Sequence, residues 1–234
     1  MPKRKIQSRP ETPKPLLVRA AAKALTVSAA EFMPHDESLP SLRQASKGCR
    51  GCDLWRKATQ TVFGEGNPGS TVMMVGEKPG DKEDLAGRPF VGPAGALLDK
   101  ALEAAGIDRE KVYVTNAVKH FKWTRKGRMR IHKKPSTREI AACRPWLDAE
   151  LRTVRPRIVV CLGSTAAQAL LGKDFRVTQQ RGEFIEKDGV LFTATVHPSS
   201  ILRSPDDEAR HREMDLFIRD LKTVASILQE RKAA

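Results

Sequence analysis

Four short apolar runs divide the chain: residues 71–75 (TVMMV), 111–118 (KVYVTNAV), 157–162 (RIVVCL) and 191–196 (LFTATV). They lack the strict alternation of a half-exposed strand and are bounded by Gly, Pro or charge, so they predict strands buried on both faces. Between them hydrophobic residues recur at helical spacing. Residues 93–105 place Leu98, Ala101, Leu102 and Ala105 on one face, with Gly106 as the C′ residue. Residues 136–154 open with the capping pair Ser136 and Glu139 and carry Ile140, Cys143, Leu147, Leu151 and Val154 on one side. Pro145 inside that pattern predicts a kink or a split into two helices, since proline removes a helical donor. Residues 164–171 follow the third run directly, and residues 206–228 repeat Met214, Phe217, Ile218, Leu221, Ala225 and Leu228. Strands alternating with helices predict an α/β fold whose parallel sheet is covered on both faces.

Sheets of this kind bind ligands beyond the carboxyl ends of their strands. Three of these ends carry chemistry. The first leads into Gly76-Glu77-Lys78-Pro79-Gly80-Asp81, the second contains Asn116, and the fourth leads into His197-Pro198-Ser199. Gly76 and Gly80 let a ligand approach the backbone, and Glu77 and Asp81 supply carboxylates. The loop lacks the Gly-Lys-Ser/Thr ending of a phosphate-cradling loop. Taken singly, each of these segments reads as an ordinary turn; their convergence argues for a site.

Composition adds a partner class. Of 234 residues, 40% are hydrophobic and 30% charged, which is globular, while the net charge of +14 and pI near 9.9 favour a polyanion such as nucleic acid. Lys3, Arg4, Lys5, Arg9, Lys14, Arg19 and Lys23 against Glu11 carry less than half of that excess, so the folded part is itself basic. Residues 1–40, rich in Lys, Arg, Pro and Ala, predict a disordered basic tail with a short helix at residues 16–25; residues 41–230 predict one catalytic domain. No run approaches the length of a membrane span and the N-terminus has no apolar signal core. A cytosolic monomer, on the nucleoid when bound to DNA and away from membranes, is the expectation.

Residues 119–134 (KHFKWTRKGRMRIHKK) hold eight Lys/Arg and no acid, with Phe121 and Trp123 among them. Phosphates match the charge and unstacked bases match the rings, so nucleic-acid binding outweighs a merely solvated loop. His132 in this segment is a bystander or, as neutral imidazole, a base or nucleophile. Cys49, Cys52, Cys143 and Cys161 in a reducing compartment suggest a metal or redox site rather than disulfides. Spacing leaves zinc, an iron–sulfur cluster and plain core packing open.

Together the motifs resemble a known family. The loop from Gly76 to Asp81, Gly87-Arg88-Pro89-Phe90-Val91-Gly92-Pro93-Ala94-Gly95, Thr115-Asn116-Ala117-Val118-Lys119-His120 and His197-Pro198-Ser199 are similar to the iron–sulfur uracil-DNA glycosylases. The basic insertion with Arg130-Ile131-His132-Lys133-Lys134-Pro135-Ser136 resembles their UdgX subgroup. The likeness spans about residues 41–228, and departs from the subgroup at Lys78, where Gln is usual.

The resemblance implies a three-layer sandwich with a central four-stranded parallel sheet. It implies a structural 4Fe–4S cluster on Cys49, Cys52, Cys143 and Cys161. The implied substrate is uracil-containing DNA, single-stranded or with the base flipped. Phe90 would stack on the uracil, Asn116 would read its polar edge, and His197 would hydrogen-bond a uracil oxygen. Gly76 and Asp81 would line the same pocket. Glu77 would stabilise the sugar cation or activate its attacker, His132 would attack the sugar and stay bonded to it, and Arg130 and Asp84 would position the loop. Two alternatives remain: a turnover glycosylase in which Glu77 directs water, and a non-catalytic, metal-containing DNA-binding protein.

Overall fold

The computed structural model describes residues 27–233, with side chains through residue 230. The helix expected at residues 16–25 and the basic stretch through Lys23 lie outside the described residues. The packed domain includes residues on the tail side of the border expected near residue 41. Ser28 caps a 3-10 turn over Ala29–Phe32, with Glu31 closing the reciprocal bond to the Ser28 backbone. Ala29 is fully buried, and a β-carbon on Gly51 would lie 2.5 Å from Ala29 N, so this turn packs against the loop between Cys49 and Cys52. The signal was present as the capping pattern Ser28-x-x-Glu31, masked by the proline and charge density around it. Helix α1 (Leu39–Ser46) follows and buries Leu39 and Leu42.

The remaining elements run β1 (Val72–Gly76), α2 (Asp81–Ala86), α3 (Pro93–Ala104), β2 (Val112–Asn116), β3 (Trp123–Lys126), β4 (Met129–His132), α4 (Thr137–Val154), β5 (Ile158–Leu162) and α5 (Ser164–Leu171). The turn α6 (Val177–Gln180), β6 (Phe184–Lys187), β7 (Val190–Thr195), the turn α7 (Pro198–Ile201) and the long α8 (Asp207–Ala233) complete the chain. The main sheet has the order β2-β1-β5-β7-β6. The expected strands β1, β2, β5 and β7 pair in parallel. The sheet is nevertheless five-stranded, because β6 adds an antiparallel edge beside β7. Asp188 and Gly189, with φ of 53° and 77°, form the two-residue turn between them, a geometry matched to strand twist. Strand β6 is hard to read from hydrophobicity because an edge strand has little to bury: Ile185, Glu186 and Lys187 are all exposed.

The sheet is the middle of three layers, and side-chain alternation sorts its contacts. Met73, Val75, Tyr113 and Val159 face α4 and α5, where Trp146, Leu147 and Ala166 are fully buried. Val72, Met74, Val114 and Val160 face α3 and α8, meeting Leu98, Leu102, Phe217 and Leu221. Helix α4 runs through Pro145 as one helix rather than two. The lost donor at Pro145 is offset by the close packing of Trp146, Leu147 and Ala149 immediately after it.

One buried ion pair ties α4 to the end of β2. Lys119 Nζ and Glu150 Oε2 are 2.5 Å apart and both side chains are wholly inaccessible. Glu150 Oε1 also accepts from Tyr113 Oη at 3.0 Å, from Thr115 Oγ1 at 2.9 Å and from Gly64 N at 3.0 Å. Lys119 Nζ donates further to Thr115 Oγ1 at 2.6 Å and to the Asn116 carbonyl at 2.8 Å. Buried charges of this kind are stable only while every partner is present. Glu150→Ala is therefore expected to lower unfolding stability by about 3–5 kcal/mol, read from the urea midpoint. The double variant Glu150→Leu with Lys119→Met should regain most of that loss.

Candidate active site

The carboxyl ends of β1, β2 and β7 bring three sequence-predicted residues to one point. Gly76 pairs with Asn116 in the ladder, and the pairing continues as Ala117 N donates to Gly76 O at 2.9 Å. A β-carbon on Gly76 would collide with Asn116 Oδ1 and lie 2.9 Å from Phe90 Cζ and 3.4 Å from His197 Nε2. Glycine is required here because those side chains converge on its α-carbon. Phe90 is held in the left-handed region at φ 57°, a strained backbone for a bulky residue. Its carbonyl lies against Gly95, where any β-carbon would clash. The Phe90 and His197 rings lie 6.2 Å apart at 23°.

The protonation of His197 follows from its neighbours. Ser199 N donates to Nδ1 at 3.1 Å, so Nδ1 is an acceptor and the neutral ring carries its proton on Nε2, the atom facing Gly76. Burial, with Arg203 and Lys78 nearby, pushes its pKa down to about 4. A neutral N–H donor thus points into the site at physiological pH. Glu77, half-buried at the end of β1, accepts from Thr165 Oγ1 at 2.5 Å. Thr165, near the start of α5, was not singled out in the sequence; its proximity to Glu77 is created by the parallel pairing of β1 with β5.

The basic insertion is not a loop but the hairpin β3–β4, turned at Gly127 with φ 59°. Arg130 fastens it: Nε lies 2.5 Å from Asp81 Oδ1 and Nη1 lies 2.6 Å from Asp84 Oδ2. Asp84 is fully buried and also accepts from Thr59 N at 3.0 Å and Thr59 Oγ1 at 2.6 Å. Asp81 and Asp84 are thus occupied by Arg130. The guanidinium sits over Phe121 and Trp123, and Trp123 Nε1 donates to Lys57 O at 2.9 Å.

This docking puts His132 at the rim of the site, its ring edge-on to Phe121 with centroids 4.8 Å apart. Its Nδ1 is 3.4 Å from Lys78 Nζ, and a β-carbon on Gly80 would lie 3.3 Å from its Cε1. The covered face of the ring and the Lys78 charge hold its pKa below the usual histidine value. Glu83, unmarked in the sequence, ties the rim to the Phe90 loop by accepting from Gly80 N at 3.0 Å and Gly92 N at 2.7 Å.

Residues 63–222 match the uracil DNA glycosylase superfamily. The chain belongs to that superfamily. It is 35% identical to the type-4 uracil-DNA glycosylase of Thermotoga maritima over 83% of this chain and 97% of the relative. It is 36% identical to the type-4 enzyme of Sulfurisphaera tokodaii over 73% of this chain and 78% of the relative. Likeness to the type-5 uracil-DNA glycosylase of Pyrobaculum aerophilum is 33% over 70% of this chain and 76% of the relative.

The four cysteines lie in or against one core cluster on the α4 and α5 side of the sheet. Cys49, Cys52 and Cys143 influence one another electrostatically, whereas Cys161 is raised to about 12 by burial alone. Trp146 Nε1 donates to Cys49 Sγ at 3.2 Å and Lys119 N donates to Cys143 Sγ at 3.2 Å, the donors a thiolate needs. Cys161 lies in β5, its backbone paired with Val75 on one side and Ala194 on the other. Its side chain projects to the same face of the sheet as Val75 and Val159, into the core that also holds Cys49 and Cys143, with Cys52 packed against it. The described residues hold no group of three or more His, Cys, Asp or Glu arranged around a metal position.

His120 is buried beside Thr61, Nε2 to Oγ1 at 3.0 Å, and its pKa is likewise pushed down to about 4 by burial. For both His120 and His197 the unfolded chain takes up a proton near pH 6.5 that the folded chain refuses until about 4. Stability is then full above about pH 6.5 and falls as pH drops toward 4. Urea midpoints measured across this window should fall, and His120→Gln and His197→Asn should each flatten the slope.

Proposed function

We propose that the protein excises uracil from DNA and remains joined to the abasic sugar through His132 Nε2. The reading rests chiefly on the convergence of Phe90, Asn116 and the His197 Nε2–H donor on Gly76, beside Glu77 and beneath a histidine clasped at the rim. The superfamily relatives are named as uracil-DNA glycosylases, and the hairpin's exposed Arg125, Lys126 and Arg128 suit flanking phosphates.

A flipped uracil enters the space over Gly76. The Phe90 ring stacks on it and the Asn116 amide pairs with its polar edge. Breaking the bond from the sugar C1′ to the base N1 leaves a cationic sugar and a uracil anion. The His197 N–H donates to a uracil oxygen as negative charge develops there, a preorganised donor in a poorly solvated site. Glu77, fixed by Thr165, sets its carboxylate against the cation. His132 Nε2, close by and neutral, attacks C1′ ahead of water through proximity.

An iron–sulfur cluster on Cys49, Cys52, Cys143 and Cys161 is part of the same proposal, supported by their gathering in or against one core cluster and by the N–H donors to Cys49 and Cys143. It would supply a structural tie between the N-terminal segment, α4 and β5. A cytosolic location accords with the action on DNA; no helix among the described residues is long and apolar enough to cross a membrane.

A second reading, turnover with Glu77-directed water, draws support from Lys78: an ammonium facing Nδ1 at 3.4 Å leaves the His132 proton on Nε2 and no lone pair to attack. A denaturing gel of protein incubated with a labelled uracil oligonucleotide separates the two. A heat-stable shifted band with wild type and none with His132→Ala is the expected result. Alkali-labile abasic DNA without a shifted band would make it a turnover enzyme. Glu77→Gln should slow uracil release by about 10²–10³-fold. For the cluster, Cys49→Ala, Cys143→Ala and Cys161→Ala are each expected to lose bound iron and yellow-brown colour.

A further inference from the structure

The two ring nitrogens of His132 have different surroundings. Nδ1 faces Lys78 Nζ at 3.4 Å, and Nε2 has no hydrogen-bond partner among the described residues. Lys78 and His132 share the Phe121 ring, the ammonium 5.1 Å from its centroid and the imidazole 4.8 Å. The Lys78 amine therefore meets His132 through a single atom, and the proton between them decides which ring nitrogen keeps a lone pair.

We infer that Lys78 is the proton acceptor for His132 Nδ1 and so controls whether Nε2 can attack the sugar. This rests on the covalent reading of His132. With Lys78 as ammonium, Nζ donates to Nδ1, the ring proton sits on Nε2, and the only nitrogen free to approach C1′ has no lone pair. With Lys78 as amine, Nδ1–H donates to Nζ and Nε2 is the nucleophile. The Nε2–C1′ bond then forms as the C1′–N1 bond breaks, and uracil leaves with the bonding pair as its N1 anion. The imidazolium so formed passes its Nδ1 proton to the Lys78 amine, leaving a neutral substituted imidazole and an ammonium. From this neutral adduct the ring could leave only as the imidazolide anion, a poor leaving group, which accounts for an adduct that persists.

The surroundings suit an amine. Burial holds Lys78 below the usual lysine range, opposed by the carboxylates of Glu77 and Glu83. Asp81, Glu83 and Arg203 are the other charges acting on His132, with Asp81 already paired to Arg130; His197, which also feels Lys78, is neutral. Burial is the usual device by which lysine becomes a base.

The test is the rate of adduct formation on a single-stranded uracil oligonucleotide from pH 6 to pH 10. The wild-type rate should climb about tenfold per pH unit and then level as Lys78 loses its proton. Lys78→Gln, whose carboxamide oxygen accepts from Nδ1–H at any pH, should be faster at pH 7 and flat across the range. Lys78→Arg, charged throughout, should be the slowest. Nitrogen-15 spectra of His132 in the DNA-free proteins should show Nε2–H with Lys78→Arg and Nδ1–H with Lys78→Gln. Identical pH profiles for wild type and Lys78→Gln, or a faster Lys78→Arg, would overturn the inference while leaving covalent capture intact. Uracil release with no adduct from any of the three proteins would sink the covalent reading instead, and unchanged nitrogen-15 spectra would then reject the Lys78 contact independently.

Discussion

Arg130 divides its guanidinium between Asp81, part-exposed, and Asp84, from which water is excluded. Two charge-assisted bonds from one planar group fix both position and orientation. The hairpin β3–β4 has little hydrophobic surface of its own with which to dock: Thr124, Arg125, Lys126, Met129, Ile131 and His132 are all exposed. Without the clasp, a two-stranded ribbon of that composition would be marginal in water. Removing Arg130 would also leave the Asp84 carboxylate buried with only Thr59 as partner, so hairpin docking and the integrity of α2 are one event rather than two. The position of His132, and with it any chemistry at the rim, depends on this pair.

Beneath the rim a second polar system supports the floor. Lys119 donates its backbone N–H to Cys143 and its ammonium to the Asn116 carbonyl, so the end of β2 is held between the cysteine region and the Glu150 carboxylate. The Asn116 side chain can then meet Gly76 without freedom to retreat, since its backbone is anchored from below. Phe90 is held by a different device, a strained backbone wedged against Gly95. Rigid placement of each group before substrate arrives is what electrostatic stabilisation requires.

The parallel strands and their flanking helices were readable because burial on both faces writes itself into continuous apolar runs and helical spacing. The residues at strand ends were readable because parallel topology sends their loops to one side. The elements that escaped, β6 and the hairpin β3–β4, are edge or surface strands with little to bury, so hydrophobic pattern carries no trace of them. Their turns, Asp188-Gly189 and Gly127-Arg128, were the available signals. The segment from Ser28 to Leu39 was assigned to the tail by composition, although Ala29 is as buried as any core residue.

Chemical identity of the groups is thus a property of the sequence alone: two histidines, an asparagine and a glutamate placed at strand ends, a phenylalanine in the loop between two helices, a basic insertion, and cysteines in a reducing context. Which of them meet is a property of the tertiary structure. Cys161 reads in the sequence as an ordinary residue of a buried strand, and only the fold sets it in the same core cluster as Cys49 and Cys143. Thr165 carries no sequence mark of importance and Lys78 is marked only as a departure from the subgroup's usual Gln, yet packing sets them against Glu77 and His132. Residue type decides what a side chain can do, but distances between residues far apart in the chain arise only when the whole core closes.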